Sequence, residues 1–169
     1  LNRMDTILFF IPALAYFWFT KHRNIRGIGL LLAGFSPFII WEVFSIFYYG
    51  FLFPNTAYAK LNSGIPEQEL LRQGLLYFIN SITWDPITLV VIGISLLIAI
   101  FSKKNNEKTL AVGIGLYLLY VLYIGGDFMS GRFFSSAFFL SAFLLIRYVK
   151  EINIRNKLTI THSSRLNGN

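Results

Sequence analysis

Long apolar runs alternate with short polar segments along almost the whole chain. Because an α-helix rises about 1.5 Å per residue, about 20 apolar residues cross the roughly 30 Å hydrocarbon core of a bilayer. No run shows the strict alternation of barrel strands, and helices satisfy their own backbone hydrogen bonds in lipid. The pattern predicts an all-α fold, a polytopic transmembrane helical bundle of five spans: Met4 to Thr20, Ile28 to Gly50, Pro86 to Phe101, Thr109 to Ile124 and Phe133 to Val149.

The polar segments between these spans alternate in charge. Basic residues gather in one set of segments: Lys21, Arg23, Arg26, Lys103, Lys104, Lys108, Arg147, Lys150, Arg155 and Lys157. The positive-inside rule places that set in the cytoplasm. The other set carries most of the acids, so we expect a multi-pass protein of the inner (plasma) membrane with an exoplasmic N-terminus and a cytoplasmic C-terminus. The chain divides into a helical region, residues 1–150, and a polar, mobile cytoplasmic tail, residues 151–169.

The longest polar stretch, Phe51 to Asp85, falls on the outer side. Within it Pro66-Glu67 is typical of a helix start, and apolar residues then recur at helical spacing: Leu71, Leu75, Phe78 and Ile82. We predict an exoplasmic amphipathic helix here. A position on the outer leaflet and a position over the mouth of the bundle fit the pattern equally well.

Composition supports lipid as the solvent, since 55% of the residues are hydrophobic and 14% are charged, with a mean hydropathy of +0.59. The net charge of +7 comes from clusters between the spans and not from one basic face, which argues against a nucleic-acid partner. The absence of cysteine excludes disulfides, thiolate metal sites and sulfur nucleophiles. Both histidines, His22 and His162, lie in basic polar segments, and we predict no metal site on them.

Two acids lie within or at the start of predicted spans. Glu42 sits well inside the second span, where a charge is costly unless it faces protein or water. It is either a site-facing, membrane-embedded carboxylate or a buried structural acid, and Gly34 and Pro37 before it allow a kink or a close helix approach. Asp5 lies at the outer start of the first span, as a candidate catalytic acid in the wall of an outward cavity or as an interfacial anchor.

The segment from Gly125 to Arg132 joins the fourth and fifth predicted spans and reads Gly-Gly-Asp-Phe-Met-Ser-Gly-Arg. Its three glycines permit a tight reversal with positive φ. Asp127 is suited to accept hydrogens from sugar hydroxyls, and Arg132 offers a planar fork to phosphate oxygens. In the alternative interpretation these two side chains pair with each other and only close the turn.

A second polar segment follows the second span directly. It places a rigid proline beside groups suited to line a groove, Asn55, Thr56 and Lys60, although an ordinary exit loop would explain it as well.

On the fourth span Tyr117, Tyr120 and Tyr123 recur every three residues toward the outer face. Such a stripe is typical of an interfacial aromatic belt and, less commonly, of a sugar-facing wall.

Together, the segment from Tyr48 to Lys60 and the segment from Gly125 to Arg132 resemble the motifs of bacterial GT-C membrane glycosyltransferases. They are similar to the terminal arabinofuranosyltransferase type, and the Arg3-Met4-Asp5 opening of the first span is a weaker match. The resemblance implies transfer of a sugar from a polyprenyl-phosphate donor to a glycan or protein hydroxyl of the cell envelope, on the exoplasmic face. The donor's lipid tail would then lie between helices, among membrane lipids.

The resemblance also implies residue roles. Asn55, Thr56 and Lys60 would line the donor or acceptor groove, while Asp127 and Arg132 would contact sugar hydroxyls and the donor phosphate. The chemistry needs a carboxylate near the acceptor hydroxyl, and cationic help from a side chain or a divalent cation as the phosphate leaves. In GT-C enzymes the catalytic acid lies in an early exoplasmic loop. We therefore expect this chain to be the C-terminal portion of a longer enzyme, and we expect that acid to be missing from this portion.

Two other functional classes fit the same pattern. In a membrane transporter or flippase, Glu42 would handle protons and the outer loops would gate access, although no repeat between the two halves is visible. In a non-catalytic membrane subunit, the polar loops would only connect helices. Sugar transfer measured beside transport in proteoliposomes separates the first two classes.

Overall fold

The computed structural model describes residues 4–21, 25–50, 64–127, 129 and 131–166, with the backbone alone for Met4, Lys21 and residues 154–166. These residues form one 3₁₀-helix, η1, and six α-helices, and they contain no strand. The elements are η1 (Met4–Phe9), α1 (Ile11–Lys21), α2 (Ile25–Tyr49), α3 (Glu67–Trp84), α4 (Pro86–Phe101), α5 (Asn105–Tyr123) and α6 (Phe134–Leu166). The prediction of an all-α fold is confirmed.

Most of the predicted spans correspond to single helices. α4 has the predicted bounds, and α2 and α5 each begin a few residues before theirs. α6 begins one residue after the predicted start, at Phe134, but continues past Val149 as far as Leu166, so the segment that we expected to be a mobile tail is helical up to that residue. The reason is that no glycine or proline interrupts the chain between these two positions.

The first predicted span is not one continuous helix. α1 starts only after a turn at Phe10, whose amide donates to the carbonyl of Ile7 at 2.9 Å. Pro12 explains the break, because a proline lacks an amide hydrogen and its ring is tolerated only in the first turn of an α-helix. As a result η1 packs against α5 by itself, and it brings Asp5 with it.

α2 runs unbroken through Pro37. The proline leaves the carbonyl of Ala33 without its usual amide donor, and the hydroxyl of Ser36 donates to that oxygen at 2.7 Å. A serine beside the proline therefore replaces the lost backbone bond, as happens in helices surrounded by lipid. The most apolar 18-residue stretch of α2 contains no buried residue, because α2 packs extensively against none of the other described elements.

α5 lies at the centre of the described bundle and contacts η1, α1, α3, α4 and α6. Two glycines allow its closest approaches. A Cβ at Gly113 would overlap the backbone of Phe9, and a Cβ at Gly74 on α3 would overlap the backbone of Leu122. Such contacts through small residues are typical of helices that pack inside membranes.

Large apolar side chains cover the outside of the bundle. Examples on α4 and α6 are Ile87, Leu97, Ile100, Phe101, Phe139 and Ile146. The interior is also mainly apolar, with a core that includes Phe9, Ile92, Ile114 and Phe134, and four serines of the described part of the chain are buried as well, namely Ser45, Ser81, Ser95 and Ser141. By length and composition, one described helix could cross a membrane, α2, or two if α3 and α4 are counted as one bent span. This finding is weak support for a membrane protein, and it does not confirm a bundle of five spans.

α3 begins at Glu67, as predicted, and the chain then bends by 108° between α3 and α4. Asp85 caps the new helix, since its carboxylate accepts from the backbone amide of Thr88 at 3.4 Å and also from the hydroxyl of that residue at 2.6 Å. The buried residues of α3 are Gly74, Tyr77 and Ser81. Three of the four residues in the predicted apolar stripe are exposed, namely Leu71, Leu75 and Ile82. α3 therefore packs over the bundle through small and polar residues and turns its leucines outward.

Candidate functional site

Two groups of polar side chains mark different ends of the described bundle. The first lies where η1, the end of α5 and the start of α6 meet, and we call it the turn end. It contains Asp5, Asp127 and Arg132. The second lies where the α4–α5 connection meets the end of α1 and the middle of α6, and we call it the basic end. Three of the sequence-predicted candidates therefore come together at the turn end.

The turn segment, Gly125–Arg132, follows the end of α5, and all of its residues except Phe128 and Ser130 are described. The amide of Gly126 donates to the carbonyl of Val121 at 3.0 Å, and that of Gly125 donates to Leu122 at 3.3 Å. These two bonds make up a Schellman cap. The three glycines of the segment have φ values from 71° to 77°, which other residues rarely adopt. The predicted positive φ is confirmed at these three glycines.

Asp127 and Arg132 face each other across the turn segment. A guanidinium nitrogen of Arg132 lies 3.4 Å from Oδ2 of Asp127. The Asp127 side chain is 11% exposed, whereas that of Arg132 is 55% exposed. The structure thus contains the ion pair of the alternative interpretation. An ion pair with one solvent-exposed partner contributes at most about 1 kcal/mol to stability, so an anion that binds more strongly can compete with Asp127 for the guanidinium.

Tyr77 of α3 holds one side of the connection from the turn segment to α6. Its hydroxyl accepts from the amide of Phe133 at 3.1 Å and donates to the carbonyl of Met129 at 3.3 Å. The amide of Phe133 lies at the open N-terminus of α6, so the hydroxyl supplies a partner that the helix itself lacks. The ring covers Gly126, where a Cβ would lie 2.5 Å from Cγ of the tyrosine.

Tyr117 of α5 connects Asp5 to the same residue. Its hydroxyl lies 3.0 Å from Oδ2 of Asp5 and 3.1 Å from the carbonyl oxygen of Phe133, so one hydrogen serves two acceptors. The tyrosine is fully buried, and its ring stacks on Phe9 with 4.2 Å between the centroids. Through this hydroxyl, the first acid of the chain is joined to the backbone next to Arg132.

The other candidates are not part of this cluster. Asn55, Thr56 and Lys60 lie outside the described residues. Glu42 lies on α2, and its Oε1 is buried with no hydrogen-bond partner among the residues that the structure describes. In the same part of the chain, no three histidine or acidic side chains come together in a way that could hold a metal ion.

Sequence reasoning missed an acid at the basic end. Glu107 is 5% exposed, its Oε2 accepts from the hydroxyl of Ser102 at 2.5 Å, and its Oε1 lies 3.9 Å from Nζ of Lys104. Lys104 also pairs with Glu151 of α6. The spacing in the sequence indicates this position. Glu107 follows Lys104 by three residues and precedes Ala111, which is buried, by four, so the acid shares one face of α5 with Ala111.

Comparisons with known proteins give no relative on which to base a function. No protein-family model, curated protein or solved structure matches the chain. Because a fold alone does not determine an activity, the function has to follow from the groups that meet in the structure. The richest such meeting point is the turn end, where two carboxylates, a guanidinium and two tyrosine hydroxyls lie together.

Proposed function

We propose that this chain forms part of a GT-C membrane glycosyltransferase, similar to the terminal arabinofuranosyltransferase type. It would transfer a sugar from a polyprenyl-phosphate donor to an envelope glycan or protein hydroxyl on the exoplasmic face. The observation that carries the proposal is the meeting of Asp5 with the turn segment through the hydroxyl of Tyr117. A subunit whose loops only connect helices has no need of this convergence.

The groups at the turn end suit the chemistry. In sugar transfer a carboxylate takes the proton of the acceptor hydroxyl as its oxygen bonds to the anomeric carbon, and a cation stabilises the phosphate as it leaves. Asp127 and Asp5 are the available carboxylates, and Arg132 is the cation. Since Arg132 is the open member of its ion pair, the phosphate would approach from the guanidinium side and release Asp127 toward sugar hydroxyls.

The proposal includes five membrane spans, formed by η1 with α1, by α2, and by α4, α5 and α6. The exposed apolar side chains around α4 and α6 support it, because a lipid-facing surface needs such residues. With 16 residues, α4 is about 24 Å long, which suits a bilayer that thins around it. The basic end would face the cytoplasm and the turn end the outside, by the charge rule applied to Lys103, Lys104 and Lys150.

α3 would lie in the outer interface of the membrane. If α4 crosses the bilayer, the 108° bend between the two helices sets α3 close to the membrane plane. Its exposed residues Leu71, Leu75 and Ile82 would then contact lipid, and Glu67 and Arg72 would contact water and headgroups. In that position α3 covers the turn segment and keeps Tyr77 in contact with it.

An apolar cleft of about 420 Å³ between η1–α1 and α2 would take part of the donor's lipid tail. Its lining includes Phe10, Leu14, Trp18, Leu30 and Phe35. The volume falls within the usual range for ligand pockets, about 300 to 1,000 Å³. Because η1 also lines this cleft, a lipid bound there would have its headgroup close to the element that carries Asp5.

Replacement of the two charged turn residues in the complete enzyme tests the proposal. Membranes that contain each variant at equal amounts of protein are supplied with a radiolabelled polyprenyl-phosphate sugar, and label in the glycan product is counted. Arg132→Ala should lower transfer about 10- to 100-fold, because hydrogen bonds to a charged group contribute about 1.5 to 3 kcal/mol. Asp127→Asn should also lower transfer, since it removes the negative charge but keeps the size of the side chain.

Arg72→Ala is the matched control for this experiment. Arg72 is likewise an exposed arginine paired with an acid, Glu69 at 3.5 Å, but it belongs to α3 and not to the turn segment. This variant should keep wild-type transfer. Full transfer by both Asp127→Asn and Arg132→Ala would refute the proposal, and equal losses in all three variants would indicate loss of folded protein instead of loss of a site.

A second candidate, a proton-coupled transporter, is favoured by the buried Oε1 of Glu42, which has no hydrogen-bond partner among the described residues. Proteoliposomes that contain the complete protein and an internal pH-sensitive dye measure proton flux under an imposed gradient. A transporter predicts a flux that Glu42→Gln abolishes and that Glu69→Gln leaves unchanged. Sugar transfer without any such flux would exclude this candidate.

A further inference from the structure

We infer that Tyr77 and Tyr117 are positioning residues, which set the place of Arg132 by holding the backbone of Phe133 between two hydroxyls. Phe133 follows Arg132 directly, and its amide and carbonyl are both within hydrogen-bond distance of a tyrosine hydroxyl. The consequence for sugar transfer rests on the proposed function, whereas the consequence for the order of the turn segment does not.

The two hydroxyls come from different helices. Tyr77 reaches the amide of Phe133 from α3 at 3.1 Å, and Tyr117 reaches the carbonyl of the same residue from α5 at 3.1 Å. The hydroxyl of Ser135 adds a third contact, because it donates to the carbonyl of Arg132 at 2.9 Å. The backbone that carries the guanidinium is thus held by side chains of three helices.

The rings of the two tyrosines have separate packing roles that do not need the hydroxyls. The ring of Tyr77 packs against Phe134 with 5.2 Å between centroids, and that of Tyr117 stacks on Phe9 at 4.2 Å. A change from tyrosine to phenylalanine therefore keeps the ring contacts and removes only the hydrogen bonds. This property makes positioning separable from packing.

Tyr117 has one partner that Tyr77 lacks, the carboxylate of Asp5 at 3.0 Å. Removal of this hydroxyl releases Asp5 and Phe133 together, whereas removal of the Tyr77 hydroxyl releases Phe133 and Met129. We therefore expect both substitutions to loosen the turn segment. Only Tyr117→Phe should also loosen η1.

Amide hydrogen exchange of the full chain in lipid nanodiscs tests the order of the turn segment. Tyr77→Phe and Tyr117→Phe should each raise exchange over residues 125–133 roughly tenfold, the equivalent of about 1.4 kcal/mol. Tyr16→Phe is the matched control, because its hydroxyl accepts from Nδ2 of Asn105 at 2.7 Å, at the basic end. That variant should leave exchange in the turn segment unchanged. Unchanged exchange there in both test variants would overturn the inference.

Sugar transfer tests whether the hydroxyls act through Arg132. Tyr77→Phe should raise KM for the polyprenyl-phosphate donor and lower kcat/KM roughly tenfold, whereas mere loss of folded enzyme lowers the rate and leaves KM unchanged. In the Arg132→Ala background the same substitution should have little further effect, because the two residues would act as one unit. Losses that multiply in the double variant would overturn the positioning role.

The two measurements separate this inference from the proposed function. One outcome is faster exchange in the turn segment of the two tyrosine variants, together with a wild-type protein that transfers no sugar. That outcome would reject the proposed function and support the holding of Phe133 by the two hydroxyls. Slow exchange in all variants of an active enzyme would reject the inference and leave the proposed function standing.

Discussion

Gly113 permits the closest contact between η1 and α5, and the effect of filling it can be worked out from the structure. A Cβ added there would lie 2.7 Å from the carbonyl carbon of Phe9 and 2.9 Å from its Cα, and these backbone atoms cannot rotate away. Gly115, two residues further along the same helix, would have nothing within 4 Å of an added Cβ. The substitutions Gly113→Ala and Gly115→Ala therefore differ in what the new methyl group meets.

The magnitude follows from two opposing effects. In a helix, alanine is favoured over glycine by about 1 kcal/mol, and Gly115→Ala should show that gain in the free energy of unfolding. At Gly113 the same gain is opposed by overpacking, which costs about 1 to 3 kcal/mol and pushes η1 away from α5. Because the gain is common to both variants, their difference should be about 1 to 3 kcal/mol.

Denaturant unfolding of the two purified variants in the same detergent measures this difference. Gly113→Ala should be the less stable variant, and it should also transfer less sugar in membranes, since the bond between Asp5 and Tyr117 lies beside the overlap. If Gly113→Ala were as stable as Gly115→Ala or more stable, the close packing of η1 on α5 would be refuted. The placement of Asp5 at the turn end would be refuted with it.

Two further predictions concern the basic end and the membrane topology. Glu107→Ala should lower the free energy of unfolding by about 2 kcal/mol, because it leaves the hydroxyl of Ser102 without its carboxylate partner. The control, Glu69→Ala on the exposed face of α3, should change that free energy by at most about 0.5 kcal/mol. Equally small effects of both substitutions would contradict a stabilising role for the buried acid. Since the chain has no cysteine, single cysteines report sidedness without background. An impermeant maleimide should label Gln68→Cys in intact cells and Asn106→Cys only after lysis, and the reverse pattern would contradict the proposed orientation.

The features that the sequence predicted well depend on neighbouring residues. The start of α3 at Glu67 follows from the proline before it, and the bounds of α4 follow from Pro86 at one end and the polar residues after Phe101 at the other. The positive φ values in the turn segment follow from its glycines alone. Such signals lie within a few positions of the structure that they determine.

The features that it missed depend on contacts between distant residues. Nothing near Tyr77 in the chain indicates that its hydroxyl meets Phe133, because the packing of α3 on α5 brings them together. Pro12 is a local signal for the break after η1, but it lies within an apolar run long enough to predict one span. The sequence predicted the apolar stripe of α3 but not the side to which it points. Small and polar residues such as Gly74 and Ser81 face the bundle, and the stripe points mostly outward.

Sugar transfer by sealed membranes tests the central claim most directly. Right-side-out vesicles are prepared from cells that make the complete protein and from cells that lack it, and both receive polyprenyl-phosphate-linked radiolabelled arabinofuranose. A GT-C transferase with its site at the turn end predicts label in the outer envelope glycan with the wild-type protein and a loss of about 10- to 100-fold with Arg132→Ala. The same labelling in cells that lack the protein, or unchanged labelling with Arg132→Ala, would contradict it.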